Sequence, residues 1–150
     1  DHVGGDLFGN HVEGLAELMA INPCIVHCHS ADVPYVKMMT GLSDSDFNQT
    51  GGGDVVKAGD VEIQCLHTPG HTPGSQCFRC RQALIAGDTL FLQGCGRTDL
   101  PGGDPAEMRR TITERLATLP NDLILYPGHH YSRDRTGRMG EVKKTNPVFR

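Results

Sequence analysis

Histidine and aspartate recur in this chain at one kind of place: short glycine- and proline-rich turns that directly follow short apolar runs. His71 lies in His67-Thr68-Pro69-Gly70-His71-Thr72-Pro73-Gly74-Ser75, after the run Val61 to Leu66. Asp88 follows Ala83 to Ala86 in Ala86-Gly87-Asp88-Thr89, and His129 follows Leu123 to Leu125 in Tyr126-Pro127-Gly128-His129-His130-Tyr131. Asp1-His2-Val3-Gly4-Gly5 sets a carboxylate beside an imidazole. The prolines and glycines around His71 forbid a helix there, so His67 and His71 are not a pair on one helical face. The pattern predicts a fold in which strand-end loops each deliver one side chain to one edge of a sheet, which is how a rigid scaffold builds an open metal site. Imidazole and carboxylate without thiolate suit a catalytic zinc or iron better than a closed structural ion.

A single Gly-His or Gly-Asp turn is more often a capped loop than a ligand. His11, His27, His29 and His130 are read in that way, and His67 as a supporting or structural residue beside His71. Asp1, His2, His71, Asp88 and His129 stand apart because they occur together and in order.

Between the turns, strands and helices alternate, which predicts an α/β class. Asn10 is placed to cap a helix through about Ala20, with Leu15, Leu18 and Met19 on one face. Cys24 to His27 reads as a strand, Pro34 to Met39 as a short helix and Ser43 to Gly53 as a polar loop. Val55 and Val56 lead into a strand from Val61 to Leu66; Gln76 to Phe78, Ala83 to Ala86 and Leu123 to Leu125 are further strands. Asp104-Pro105-Ala106-Glu107 is a strong helix start, and Met108, Ile112, Leu116 and Leu119 carry that helix at regular spacing to Pro120. No linker or repeat divides residues 1–150, so a single domain is expected.

Composition removes several function classes. The net charge is −4, which argues against a nucleic-acid partner. No apolar run approaches the roughly 20 residues needed to cross a bilayer, so no membrane partner is expected. The chain opens on Asp1 in the middle of a motif and is read as lacking its N-terminal part; a cytoplasmic location is expected. Of the six cysteines, Cys24 and Cys28 would lie about 13 Å apart along one strand, too far to share an ion. Cys77 and Cys80, an odd number apart, would face opposite sides of theirs. Reduced cysteines are therefore expected. Cys95, in Gly94-Cys95-Gly96-Arg97-Thr98-Asp99, is the rival nucleophile, but no helix terminus or base is evident beside it.

In this order the motifs resemble those of the metallo-β-lactamase superfamily, over essentially the whole chain. Asp1-His2 looks like the end of its Thr-His-x-His-x-Asp-His motif. His71 matches the third motif position, Asp88 the bridging aspartate and His129 the last histidine, while Asn146-Pro147-Val148-Phe149-Arg150 is similar to a segment of glyoxalase II-like members. The resemblance implies an αββα sandwich, here without its first strands, with metals at one edge of the sheets. It implies that two upstream histidines and His71 hold one metal, that Asp1, His2 and His129 hold another, and that Asp88 bridges them. Without those upstream histidines, residues 1–150 are expected to hold an impaired site.

The activity implied is that of a hydroxyacylglutathione hydrolase-like enzyme, in which metal-bound hydroxide attacks a thioester carbonyl, with Asp1 and Asp88 in catalytic roles. One or two Zn2+ ions are the expected cofactor, Fe2+ the alternative. The expected partner is a small thioester or a glutathione-derived thiol. Arg97-Thr98-Asp99, the candidate substrate-binding residues, stand where glyoxalase II enzymes carry a Lys and a Tyr, and look more like the persulfide dioxygenases, which use one iron in a facial triad. A non-catalytic metal-binding remnant is the third reading.

Overall fold

A computed structural model describes Val12 and residues 14–150. The chain forms two compact units, Asp1–Thr50 and Gly51–Arg150.

In the first, helix α1 (Leu15–Ile21) precedes strand β1 (Val26–His29), helix α2 (Val33–Thr40) and strand β2 (Phe47–Thr50). β1 and β2 pair in parallel, from Val26 opposite Phe47 to His29 opposite Thr50. Parallel neighbours need a crossover, and α2 supplies it. Pro34 sits in its first turn, where the missing N–H costs nothing, and Gly41 ends it in the left-handed region at φ 71°. Two expectations are corrected here. The strand predicted over Cys24 to His27 starts at Val26, which leaves Cys24 outside it and exposed. The predicted Ser43 to Gly53 loop contains β2, whose polar Phe-Asn-Gln-Thr sequence lacks alternation; pairing with β1, not local propensity, makes it a strand. The expected Asn10 cap lies outside the described residues.

The second unit is a six-stranded sheet in the order β3-β4-β5-β6-β7-β8. Its strands are β3 (Val55–Ala58), β4 (Val61–His67), β5 (Gln76–Cys80), β6 (Ala83–Gly87), β7 (Ile124–Pro127) and β8 (Gly137–Arg138). All neighbours are antiparallel except β6 and β7, which run in parallel. The segment between those two crosses one face through helix α3 (Pro105–Arg110), and helix α4 (Met139–Thr145) follows β8.

Asp104 caps α3 as predicted, its carboxylate accepting from the N–H groups of Ala106 and Glu107. The single helix expected from there to Pro120 is instead α3, a π-helical turn over Thr111–Arg115 and a 3-10 turn over Leu116–Thr118. Residues four apart drift around a regular helix, and the wider π turn absorbs that drift. Met108, Ile112 and Leu116 therefore all stay buried in the core, against Cys77, Leu84 and Leu125 of the sheet. Thr111 is drawn in as well: its hydroxyl donates to the buried Pro69 carbonyl at 2.8 Å.

All six cysteines are free thiols. Cys77 is fully buried and Cys80 only partly so, consistent with opposite faces of β5. Among the described residues no helix is long and apolar enough to cross a membrane.

Candidate metal centre

Strand direction determines which turns meet. β4 and β6 are both antiparallel to β5, so they run the same way, and β7 is parallel to β6. The C-terminal ends of all three therefore open on one sheet edge. His71, Asp88 and His129 are in the turns just past those ends.

Asp88 is the hub. Its Oδ1 accepts from His129 Nδ1 at 2.6 Å, and its Oδ2 lies 3.8 Å from His71 Nε2. His71 is held from behind: its Nδ1–H donates to the Arg97 carbonyl at 2.7 Å. That bond selects the tautomer in which Nε2 carries the lone pair. His71 is 7% exposed, and its Nε2 is buried with no hydrogen-bond partner. In the neutral ring, a lone pair and a carboxylate oxygen thus face one another across 3.8 Å. Two acceptors are stable in that arrangement only with a cation or a proton between them.

Glycines let the three turns approach this closely. A Cβ on Gly128 would lie 2.6 Å from Asp88 Oδ1 and 2.8 Å from the Gly87 carbonyl carbon. On Gly96 it would lie 1.8 Å from the Asp88 carbonyl oxygen and 3.2 Å from His71 Nδ1. The parallel register between β6 and β7 shifts between Ile85 and Gly87, and Gly87 adopts φ 50°, which turns Asp88 out of the strand line. An aromatic cluster borders the other side. The Phe91 ring stands edge-on to His129 and Tyr131, at 6.3 and 5.1 Å, while Tyr131 lies parallel to His129 at 5.4 Å.

Of the sequence-predicted site residues, His71, Asp88 and His129 converge. Asp1 and His2 lie outside the described residues, and among the described residues no group of three or more His, Cys, Asp or Glu is arranged to hold an ion. Arg97 and Asp99 are exposed and engage each other through two hydrogen bonds of 2.8 Å. The Arg97 guanidinium holds the Asp99 carboxyl well below its usual range, at about 2. Thr98 between them is half-buried. Burial pushes the Cys95 thiol up, away from the thiolate a nucleophile needs.

His67 faces its own turn, its Nε2 bonded to the Pro73 carbonyl at 2.9 Å. His27 meets Asn48, His29 accepts from the Ala31 N–H, and His130 is exposed. Sequence reasoning missed three parts of the site. These are the Arg97 carbonyl, the Phe91–Tyr131 cluster and the close approaches at Gly96 and Gly128. The glycines flanking Cys95 and preceding His129 were the available signal.

A family model described as the metallo-beta-lactamase superfamily matches residues 10–129. The chain is 37% identical over 135 residues to a hydroxyacylglutathione hydrolase of Polaromonas, covering 80% of this chain and 51% of that protein. It is 30% identical over 148 residues to the human mitochondrial persulfide dioxygenase ETHE1, covering 89% of this chain and 57% of that protein. The chain thus spans about half the length of the curated relatives it matches. Among solved structures, TTHA1623 in a di-iron-bound form superposes with a TM-score of 0.76 at 29% identity, over 91% of this chain and 71% of that one. ETHE1 from Myxococcus xanthus does so with a TM-score of 0.68 at 27% identity, over 92% and 71%.

Proposed function

Because the chain belongs to the metallo-beta-lactamase superfamily, we propose that it is the catalytic part of a metal-dependent hydrolase acting on thioesters, of the hydroxyacylglutathione hydrolase kind. The observation that carries this reading is the buried, unpartnered His71 Nε2 facing Asp88 Oδ2. The donor set fits a divalent cation: imidazole nitrogens and a carboxylate, with no thiolate among the converging groups. His71, Asp88 and His129 are not by themselves arranged around one ion, so they are assigned to it jointly with Asp1 and His2, which the family resemblance adds. A divalent ion bound there supplies Lewis-acid chemistry, lowering the pKa of a bound water and polarising a carbonyl.

The chain's own residues do the rest. The Arg97 carbonyl fixes His71 Nδ1 as a donor, so in the neutral ring Nε2 is the atom left to bind a cation. Asp88 presents one oxygen to each imidazole and supplies the negative charge that offsets a divalent cation. Arg97, Thr98 and Asp99 form the bordering loop and are assigned to substrate contact, with the Arg97 guanidinium and the Asp99 carboxylate paired to each other. A small-molecule thioester or a glutathione-derived thiol is the partner proposed with this reading, and the cytoplasm the proposed location.

A second reading, a mononuclear iron persulfide dioxygenase, is favoured by the similarity to human ETHE1 along 89% of the chain. One experiment separates the two. The full-length protein is purified, its metal content is measured, and hydrolysis of an acylglutathione thioester is assayed beside oxygen uptake with glutathione persulfide. Zinc-dependent thioester cleavage without oxygen uptake, abolished in His71→Ala, is the expected result. Bound iron with persulfide-dependent oxygen consumption transfers the assignment to the dioxygenase, and absence of any bound metal overturns both.

A further inference from the structure

Asn146 is fully buried, which is uncommon for a side chain with four hydrogen-bonding positions. All four are filled. Its Nδ2 donates to the carbonyls of Phe91 at 3.1 Å and Gly94 at 3.0 Å. Its Oδ1 accepts from the N–H groups of Gly94 at 2.9 Å and Val148 at 3.2 Å. Only the Val148 bond serves the local chain, capping the 3-10 turn Pro147–Phe149 that follows α4. The other three reach a turn more than 50 residues earlier in sequence. That turn is closed by Phe91 N–H on the Gly94 carbonyl and by a bridge between Leu90 and Cys95. Gly94 sits at φ 82° within it.

The turn has the candidate metal centre on both flanks. Its first residue, Phe91, is 7% exposed and packs edge-on against His129. Immediately after it, Gly96 lies against the Asp88 backbone, and the Arg97 carbonyl holds His71 Nδ1. We propose that Asn146 is a positioning residue of the metal centre. By pinning Phe91 and Gly94 it fixes Phe91 against His129 and the Arg97 carbonyl against His71, so one amide sets the orientation of both imidazoles. The Asn146-Pro147 motif thereby acquires a role in the site rather than only at a helix end. Its bearing on metal rests on the proposed function, but the positioning itself does not require a bound ion.

The test is therefore read first without metal. Asn146→Asp keeps the shape and the acceptor while removing both Nδ2 donors, and Asn146→Ser serves as a milder second variant should the aspartate not fold. Val142→Ala is the control: it opens the same core, yet Val142 makes no side-chain hydrogen bond to the turn. Side-chain NMR of the metal-free protein reports the exchange of the His71 Nδ1 proton and the ring shifts of His129. Asn146→Asp is expected to accelerate that exchange by about tenfold or more and to move the His129 signals. Val142→Ala, at a comparable loss of Tm, leaves both in place. In the metal-binding protein, Zn2+ affinity should fall by about 10- to 100-fold in Asn146→Asp. Histidine signals that respond to Asn146→Asp no more than to Val142→Ala overturn the proposal. A wild type with ordered His71 and His129 that binds no metal overturns the proposed function and leaves the positioning role standing.

Discussion

Gly96→Ala tests how closely the site depends on backbone approach. The added Cβ would sit 1.8 Å from the Asp88 carbonyl oxygen and 3.0 Å from its carbon. Neither neighbour is the end of a flexible side chain, so the loop must retreat by about 1 Å or more to reach ordinary contact. The next residue is Arg97, whose carbonyl holds His71 Nδ1 at 2.7 Å. A retreat of that size takes the pair past the ~3.5 Å at which a hydrogen bond is effectively lost. Overpacking costs about 1–3 kcal/mol and the broken bond about 0.5–1.5 kcal/mol. For a chain of this size that lowers Tm by roughly 5–15 °C. With His71 free to take the wrong tautomer, metal affinity should fall by about 10- to 100-fold. Scanning calorimetry of the metal-free protein measures the first effect, and metal titration the second. Gly51→Ala is the reference, since a Cβ there meets nothing nearer than the Asp54 carboxylate at 3.8 Å. A Gly96→Ala protein matching Gly51→Ala in both Tm and affinity would refute the reasoning.

The Asp99 carboxyl is held at about 2 by Arg97, below its ordinary value near 4. Its contribution to stability is thus fully present above about pH 4 and is lost as pH falls through about 2. An NMR titration should place its midpoint near 2, moving toward 4 in Arg97→Ala; a wild-type midpoint near 4 contradicts the pairing. Thr111→Val leaves the buried Pro69 carbonyl without its donor and should cost about 1–3 kcal/mol in denaturant unfolding. Thr111→Ser, which retains the hydroxyl, should lose less. Equal losses would remove the bond from the account of how the π turn braces the His71 loop.

Periodicity and turn chemistry made much of the second unit legible. β4 to β7 each lie within a few residues of the predicted runs, because alternating or compact apolar runs end at glycine and proline whatever the rest of the chain does. The Asp104 cap was legible for the same local reason. β2 was not, since Phe-Asn-Gln-Thr acquires its strand geometry from β1. The π turn was not either: Met108, Ile112 and Leu116 have the same spacing in a regular helix, and only packing against the sheet selects the wider turn.

What residue order by itself determined was the list of groups able to do chemistry: His71, Asp88 and His129 each stand at a strand end, set there by a glycine that no other residue replaces cheaply. Their convergence was decided by the tertiary structure. The parallel pairing of β6 with β7, and the shared direction of β4, bring three turns separated by up to 58 residues in sequence to one edge. The orientation of each ring was decided there too. A backbone carbonyl from Arg97 and a clamp from Asn146 are main-chain and long-range features, and hydrogen bonds between distant segments leave no period in the sequence to read.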